Sequence, residues 1–414
     1  MRTVLLITYD ISPYRGSEAS VSWNYVNNMQ YSNKLIVLYG RGKEEIGRYL
    51  QTHDMPNVLF RNIKYVETQG DGLLADIKYN WRYRKWHYNV YAEVKQIIKL
   101  EHVDVIHYLN PIGFKEPGFL YKIKAIPYVW GPIQAVENRP ISLFKALSGK
   151  GKVKALVRRV AHNGMFIFSI RVRQALKRAD IVFAATPKTV KMLKVWHGIN
   201  GIYLPENGIP KMERIVPIGY NQGCLRLVWI GAINERKALM ILLDALLGLK
   251  TSNWHLDICG TGPLENKLKL YSRKISSNIV WHGQIPRDKV QELLKDAHLH
   301  IISSLGEATT TVLFEAMSFA IPTMSLDHCG MSGVVCDKCG IKIPIKSYNQ
   351  VISDMAANIE WIIDNPSIIT ELSKGVIECS KKFMWVNRIQ LFNDTYDRLI
   401  QKYIDMRNNE NPNS

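Results

Sequence analysis

At 414 residues, 47% hydrophobic and 22% charged, the chain has the composition of a globular protein long enough for two domains of ordinary size. That composition excludes a disordered chain, and six cysteines are too few for a disulfide scaffold. A formal charge of +18 asks for an anionic partner, whether nucleic acid, acidic lipid or a polyanionic substrate.

The N-terminal run MRTVLLITYD is too short for a secretory leader and reads as a buried strand closed by Asp10. No run of about 20 uninterrupted apolar residues occurs, so a membrane-spanning helix is not expected. Brief β-rich runs follow at 34–40, 103–109, 126–131 and 180–186, with helical patterns at 18–29 and 89–100 between them. Strands alternating with helices predict a parallel, doubly wound sheet.

The turn-rich segment LPENGIPKMERIVPIGYNQG then interrupts the pattern. Beyond it the alternation restarts, with strands at 224–231, 254–260, 278–283, 298–304 and 321–326. Helices are expected at 235–250, 263–274, 287–296, 310–319 and 350–375. The predicted organisation is an N-terminal Rossmann-like domain (1–205), a linker (206–223) and a second Rossmann-like domain (224–384). A terminal helix (385–405) carries Val386, Ile389, Phe392, Tyr396, Leu399 and Tyr403 at helical spacing, and a polar tail (406–414) is expected to be disordered.

Asn234 is a plausible N-cap, which would put Arg236 and Lys237 in the first helical turn. Cations there oppose the helix dipole, and Glu235 offsets them only in part; a bound anion would reverse the penalty. Downstream, SSLGEATTTVLFEAMSFAIPT holds Glu307 and Glu315. Eight steps of straight helix would separate them by about 12 Å, too far to act as an acid/base pair on one atom. They suit the two ends of an elongated ligand. Cys336 and Cys339 form a CxxC with Cys329 upstream, read as reduced cysteines in a turn rather than a metal site.

In sequence order GAINERKALMILLDAL, ICGTGP, VWHGQI and SSLGEATTTVLFEAMSFAIPTMS resemble the retaining, metal-independent glycosyltransferases of family four (glycosyl transferases group 1). That resemblance implies a GT-B fold, an α/β architecture of two Rossmann-like domains facing across a cleft. By position, Lys237 matches the lysine on the donor diphosphate, Glu315 the glutamate on the ribose hydroxyls and Glu307 the one on the donor sugar. The amides of Ala308, Thr309 and Thr310 would meet sugar and phosphates, and Gly283, Gln284 and Ile285 would read the base. The family's arginine after the glycine at Gly231 is replaced by Ala232, and Arg236 is the candidate to supply the missing cation. On the acceptor side the matches are Gly16, Ser17, Glu18, Gly131 and, as a catalytic candidate, His107.

The implied function is transfer of a sugar from a UDP- or GDP-linked donor to a glycan acceptor, with no cofactor and no metal. A lipid-linked oligosaccharide in bacterial O-antigen, capsule or exopolysaccharide assembly is the implied acceptor. The chain holds no Asp-x-Asp, the mark of the metal-dependent GT-A class.

Between Glu137 and Asp180 there is no acidic residue but eleven Lys or Arg, interleaved with Phe144, Leu147, Leu156, Val160, Met165, Phe166, Phe168 and Ile170. A second such stretch is YNWRYRKWHYNVY (79–91). Cations and aromatics so mixed suit an anionic membrane surface. The expected location is cytoplasmic, peripheral on the inner face of the membrane, with no nucleic-acid partner. The alternative is a catalytically silent sugar-nucleotide- or nucleic-acid-binding protein on the same scaffold.

Overall fold

The computed structural model describes residues 1–16, 18–65, 73–221 and 223–410. Ser17 and the last four tail residues lie outside them. The chain divides into two compact units.

The first unit comprises Met1–Val136, Asn163–Glu206 and Trp385–Ser414. Its strands are β1 (Arg2–Asp10), β2 (Asn33–Arg41), β3 (Val58–Asn62), β4 (Val105–Asn110), β5 (Tyr128–Ile133), β6 (Ile181–Ala184) and β7 (Ile202–Tyr203). They lie in the order β3-β2-β1-β4-β5-β6-β7, and every paired strand is parallel. A parallel sheet is covered on both faces, which is why VLLITY is apolar without alternation. One face packs Leu5, Ile7 and Tyr108 on Trp86 and Val90; the other packs Val4, Leu6 and Val105 on Tyr25, Phe392 and Tyr396.

The second unit comprises Glu137–His162 and Asn207–Met384. Its strands β8 (Leu225–Ile230), β9 (Trp254–Cys259), β10 (Ile279–Gly283), β11 (Leu299–Ile302), β12 (Thr323–Leu326) and β13 (Gly340–Ile343) form a second parallel sheet. The order is β10-β9-β8-β11-β12-β13. In each sheet the order reverses once, between β1 and β4 and between β8 and β11. Loops leaving the carboxyl ends of such neighbours diverge, and ligands of open α/β sheets bind there.

Several expectations require correction. Glu137–His162, read as part of the first domain, clusters with the second unit. The supposed linker is packed on that unit: Ile209 N–H donates to Phe383 O at 2.8 Å and Glu213 N–H to Ser318 O at 2.8 Å. The helix expected at 350–375 is two, Tyr348–Asp364 and Ser367–Ser380, because Pro366 lacks the amide to continue the first. The terminal helix spans Trp385–Glu410, so the first part of the supposedly disordered tail is helical. Its buried face uses Trp385, Ile389, Phe392, Tyr396 and Leu399, whereas Val386 is 71% exposed. Arg388 from this helix donates to the Tyr25 hydroxyl at 2.7 Å and to the Pro205 carbonyl.

The aromatic stretch at 79–91 belongs to the helix Leu73–Leu100, and one side of it is core. Tyr83 and Trp86 pack edge-on against Tyr9, and His87 and Val90 are buried beside them. Among the side chains described there, Trp81 and Tyr88 keep large exposed rings.

The structure gives His107, expected as a catalytic candidate, no free ring nitrogen. The residue is fully buried in β4, with Nδ1 2.5 Å from the Tyr396 hydroxyl and Nε2 2.6 Å from the Gly131 carbonyl. It links the sheet to the terminal helix. Gly131 is glycine for a backbone reason: at φ +121° an added Cβ would lie 2.3 Å from the Phe183 carbonyl oxygen.

Burial, offset in part by the Gly131 bond, holds the His107 imidazole down at about 4. Burial, with Arg171 nearby, holds His87 at about 3. Burial, with Lys237 nearby, holds His300 at about 3. Unfolded, each would titrate near 6.5. Below that pH the unfolded chain binds more protons, so stability falls as pH drops from about 6.5 towards the folded values. Each histidine contributes at most about 1.4 kcal/mol per pH unit. In urea unfolding between about pH 7 and about pH 5, His107→Gln is expected to be less stable at neutral pH but to show a shallower decline.

Candidate functional site

The site is built where β8 and β11 part. After β8 the chain enters a turn rather than a helix. Asn234 Oδ1 accepts from the amides of Arg236 and Lys237 at 3.0 Å each, and Ala238 N–H closes the turn on Asn234 O at 3.1 Å. The helix begins only at Leu239, after Ala238 in the left-handed region at φ +48°. Asn234 therefore caps a turn ahead of the helix, and Arg236 and Lys237 are not helical.

The two cations instead meet one carboxylate. Lys237 Nζ lies 2.7 Å from Glu307 Oε1, with both side chains 11% exposed. Arg236 Nη1 bonds the same oxygen and the Gly306 carbonyl; its side chain is 40% exposed. Glu235 turns the other way, accepting from Ser148 N–H at 3.0 Å. Hydrogen bonds from Ser148, partly offset by burial and aided by Arg139 and Lys154, hold its carboxyl below the usual range. Arg139, half buried, feels both Arg158 and Arg236; burial first and those like charges next lower its pKa. The site thus carries more positive charge than the two residues read from the sequence.

Three contacts fix the turn. Leu305 N–H donates to Arg236 O at 2.8 Å, and Ser303 Oγ donates to Lys237 O at 2.8 Å while accepting from Trp229 Nε1 at 3.1 Å. Trp229 and Ser303 are positioning residues that no motif announced, since their partners are distant in sequence.

The glycines serve close packing. A Cβ on Gly260 would lie 1.9 Å from Gly231 O, and one on Gly262 2.4 Å from Ile233 O. The Gly-x-Gly therefore lets the loop after β9 lie on the loop after β8, where Ile233 N–H reaches Thr261 O at 2.9 Å. Gly260 N–H in turn donates to Gly283 O at 2.8 Å, aligning the loop after β10. There Gly283 adopts φ +67°, Gln284 is exposed and Ile285 half-buried.

Glu307 lies in the loop after β11, and Glu315 on the following helix, Thr311–Ser318. They do not share a helix, so the straight-helix distance does not apply. Glu315 pairs with Arg287 at 2.9 Å. Ala308 and Thr309 lead to Thr310, the N-cap, which makes no side-chain bond to the helix. Gly330 supports this loop: a Cβ there would lie 1.6 Å from Ala308 O.

In the first unit, Gly16 lies exposed in the loop after β1, with open space around its Cα. Glu18 opens the helix Glu18–Met29 and accepts from Ile112 N–H in the loop after β4. Burial, opposed by that bond and aided by Asp10, raises its carboxyl. These two therefore sit at the first sheet's reversal, while Gly131 and His107 are internal.

Residues 218–383 match the family model for glycosyl transferases group 1. The matched segment includes β8 to β13 and every second-unit candidate. The lipopolysaccharide 1,6-galactosyltransferase of Escherichia coli K12 is 29% identical over 135 residues, 31% of this chain and 36% of that protein. The chain thus spans about a third of the length of that curated relative. Among solved structures, the lipopolysaccharide outer core galactosyltransferase WaaB superposes with a TM-score of 0.64 at 16% identity, over 95% of this chain and 98% of that one. Anabaena Alr3699/HepE, solved with UDP and glucose, gives 0.58 at 14% identity over 96% and 100%. The fold is that of the GT-B glycosyltransferases, two Rossmann-like units each built on a parallel sheet.

Gly330→Ala is expected to destabilise the protein by about 2 kcal/mol or more, because a carbonyl oxygen blocks the new methyl. Gly306→Ala, with nothing within 4 Å of its Cβ position, should stay within about 0.5 kcal/mol. Urea unfolding midpoints of the two variants check the contrast.

Proposed function

We propose that the chain is a retaining, metal-independent glycosyltransferase that moves a sugar from a UDP- or GDP-linked donor to a glycan acceptor. The observation that carries this reading is the convergence of Lys237 and Arg236 on Glu307 at the β8/β11 reversal, inside the segment that matches the family. Such a site holds positive charge where a leaving diphosphate would develop negative charge.

Lys237 is the principal diphosphate ligand, and Arg236 supplies the cation missing at Ala232. Pre-placed cations and the amides of Ala308 to Thr310 stabilise the departing phosphate without reorganisation. Glu307 orients both cations and contacts the donor sugar's hydroxyls. Glu315 takes the ribose hydroxyls; its partner Arg287 is 69% exposed, so the pair is worth under about 1 kcal/mol and yields readily to a diol. Gly283 to Ile285 read the base. In a same-face displacement the leaving phosphate accepts the acceptor's hydroxyl proton, so neither glutamate is a nucleophile. The solved neighbour carrying UDP makes UDP-sugars the first donors to test.

The acceptor is a lipid-linked oligosaccharide in bacterial surface-polysaccharide assembly, met at an anionic membrane surface. Among the described residues no helix is long and apolar enough to cross a membrane. The basic helix Gly149–Phe168 nevertheless exposes Val153, Val157 and Val160 at 62%, 64% and 75%, beside exposed Lys150, Lys152, Lys154 and Arg158. Apolar residues at helical spacing flanked by cations suit the headgroup boundary of anionic lipids.

In a panel of UDP- and GDP-sugars, one donor is expected to raise Tm and to be turned over equally with Mg2+, Mn2+ or neither. Lys237→Ala and Glu307→Gln should each lower kcat by about 100-fold or more. Arg236→Ala, at the more exposed cation, should cost about tenfold. Turnover that appears only when a divalent ion is added would refute the metal-independent mechanism. For membrane docking, co-sedimentation with phosphatidylglycerol vesicles should fall with added salt and with Val157→Asp/Val160→Asp; binding indifferent to both would rule it out.

A further inference from the structure

We infer that Cys336, Cys339 and Cys379 form a binding site for a thiophilic divalent metal ion, zinc foremost, unconnected with the transfer chemistry. CxxC motifs are common, and the pair alone says little. The tertiary structure adds a third thiol from a helix 40 residues further along, and the three sulfur atoms lie within 4.8 Å of one another. Cys336 Sγ is 3.4 Å from Cys339 Sγ and 3.3 Å from Cys379 Sγ. A tetrahedral zinc with Zn–S bonds of about 2.3 Å needs sulfur atoms roughly 3.8 Å apart, a few tenths of an ångström beyond these two separations.

The surrounding backbone is arranged for thiolates. The amides of Lys338 and Cys339 donate to Cys336 Sγ, and Cys336 N–H donates to Cys339 Sγ at 3.2 Å. The turn, Cys-Asp-Lys-Cys-Gly, ends on Gly340, whose Cβ would lie 2.2 Å from the Thr323 carbonyl oxygen. The helix carrying Cys379 reaches the turn through Gly375, where a Cβ would lie 1.7 Å from the Lys338 carbonyl oxygen. A helix backbone laid directly on a CxxC turn is what delivers a third sulfur to it.

Cys336 is half-buried and Asp337 and Lys338 are exposed, which leaves an entry path. Three thiolates on one divalent ion carry a net charge of −1, and Lys382, which acts on Cys379, opposes it. Among the described residues this cluster offers three protein ligands, so water or another small ligand completes the tetrahedron. The Cys336 turn follows the short helix Met331–Val334, which begins next to Gly330. A bound ion would fix the end of the segment whose beginning supports the loop at Ala308.

Full-length protein stripped of metal by a chelator under reducing conditions, then given zinc alone, is expected to bind roughly one equivalent. Zinc should protect Cys336, Cys339 and Cys379 from alkylation, mapped by mass spectrometry, and leave Cys224 reactive. Cobalt should give the absorption bands of a tetrahedral thiolate site. Cys336→Ser and Cys379→Ser should abolish these signals, and Cys224→Ser and Cys329→Ser should keep them. Cys329 is the control that matters, because it lies in a second group with Glu137 and His328. Protection that falls on Cys329, metal retained by Cys336→Ser, or no protection at all would overturn the proposal. If Cys379→Ser fails to fold, the protection map on the unsubstituted chain decides.

Discussion

Arg236 and Lys237 are adjacent like charges in a turn ahead of the helix, and their side chains lie together because one carboxylate, that of Glu307, accepts from both. At effective dielectric constants typical of such partly covered positions, contacts at hydrogen-bonding distance outweigh the repulsion between the cations. Glu307 reaches them only because β11 lies beside β8, and two strands so distant in sequence are neighbours only at the reversal of strand order. The constellation is therefore a product of the sheet's topology.

Close approach of neighbouring loops explains the distribution of glycines. Three loops leave the carboxyl ends of β8, β9 and β10 side by side, and Gly260 and Gly262 occupy points where one main chain lies on another. Gly330 does this for the loop after β11, and Gly375 for the CxxC turn. These residues act through backbone approach, and a methyl group in any of them would push a carbonyl oxygen away. Function at such positions is indirect: the glycine places a loop, and the loop places a donor or an amide.

The first unit uses its buried polar groups differently. His107, fixed between the Tyr396 hydroxyl and the Gly131 carbonyl, spends both ring nitrogens on structure. Tyr108 is likewise bonded to His87 and to the Glu116 carbonyl. Arg171 pairs with Glu116, so one cation of the basic region is committed to internal structure while those of the helix Gly149–Phe168 face outward. A formal charge of +18 is thus shared between packing, the Arg236–Lys237–Glu307 cluster and an exposed surface.

The sequence by itself determined the architecture and singled out the candidate residues that β8 and β11 bring together. Unbroken apolar runs mark parallel strands buried on both faces, and Lys237, Glu307 and Glu315 fall in loops and helix starts identifiable from local pattern. It also marked the terminal helix, though Val386 proved exposed and Trp385 buried, because a one-residue rotation of a helical face is below what spacing resolves. Tertiary structure alone decided that Asn234 caps a turn, that His107 is internal and that Tyr83 and Trp86 are core. It also brought Cys379 to Cys336 and Arg139 near Arg236. The physical reason is common to all: periodicity reports which side of an element is apolar, whereas what a polar side chain or a glycine does depends on main-chain atoms contributed by strands and helices remote in sequence.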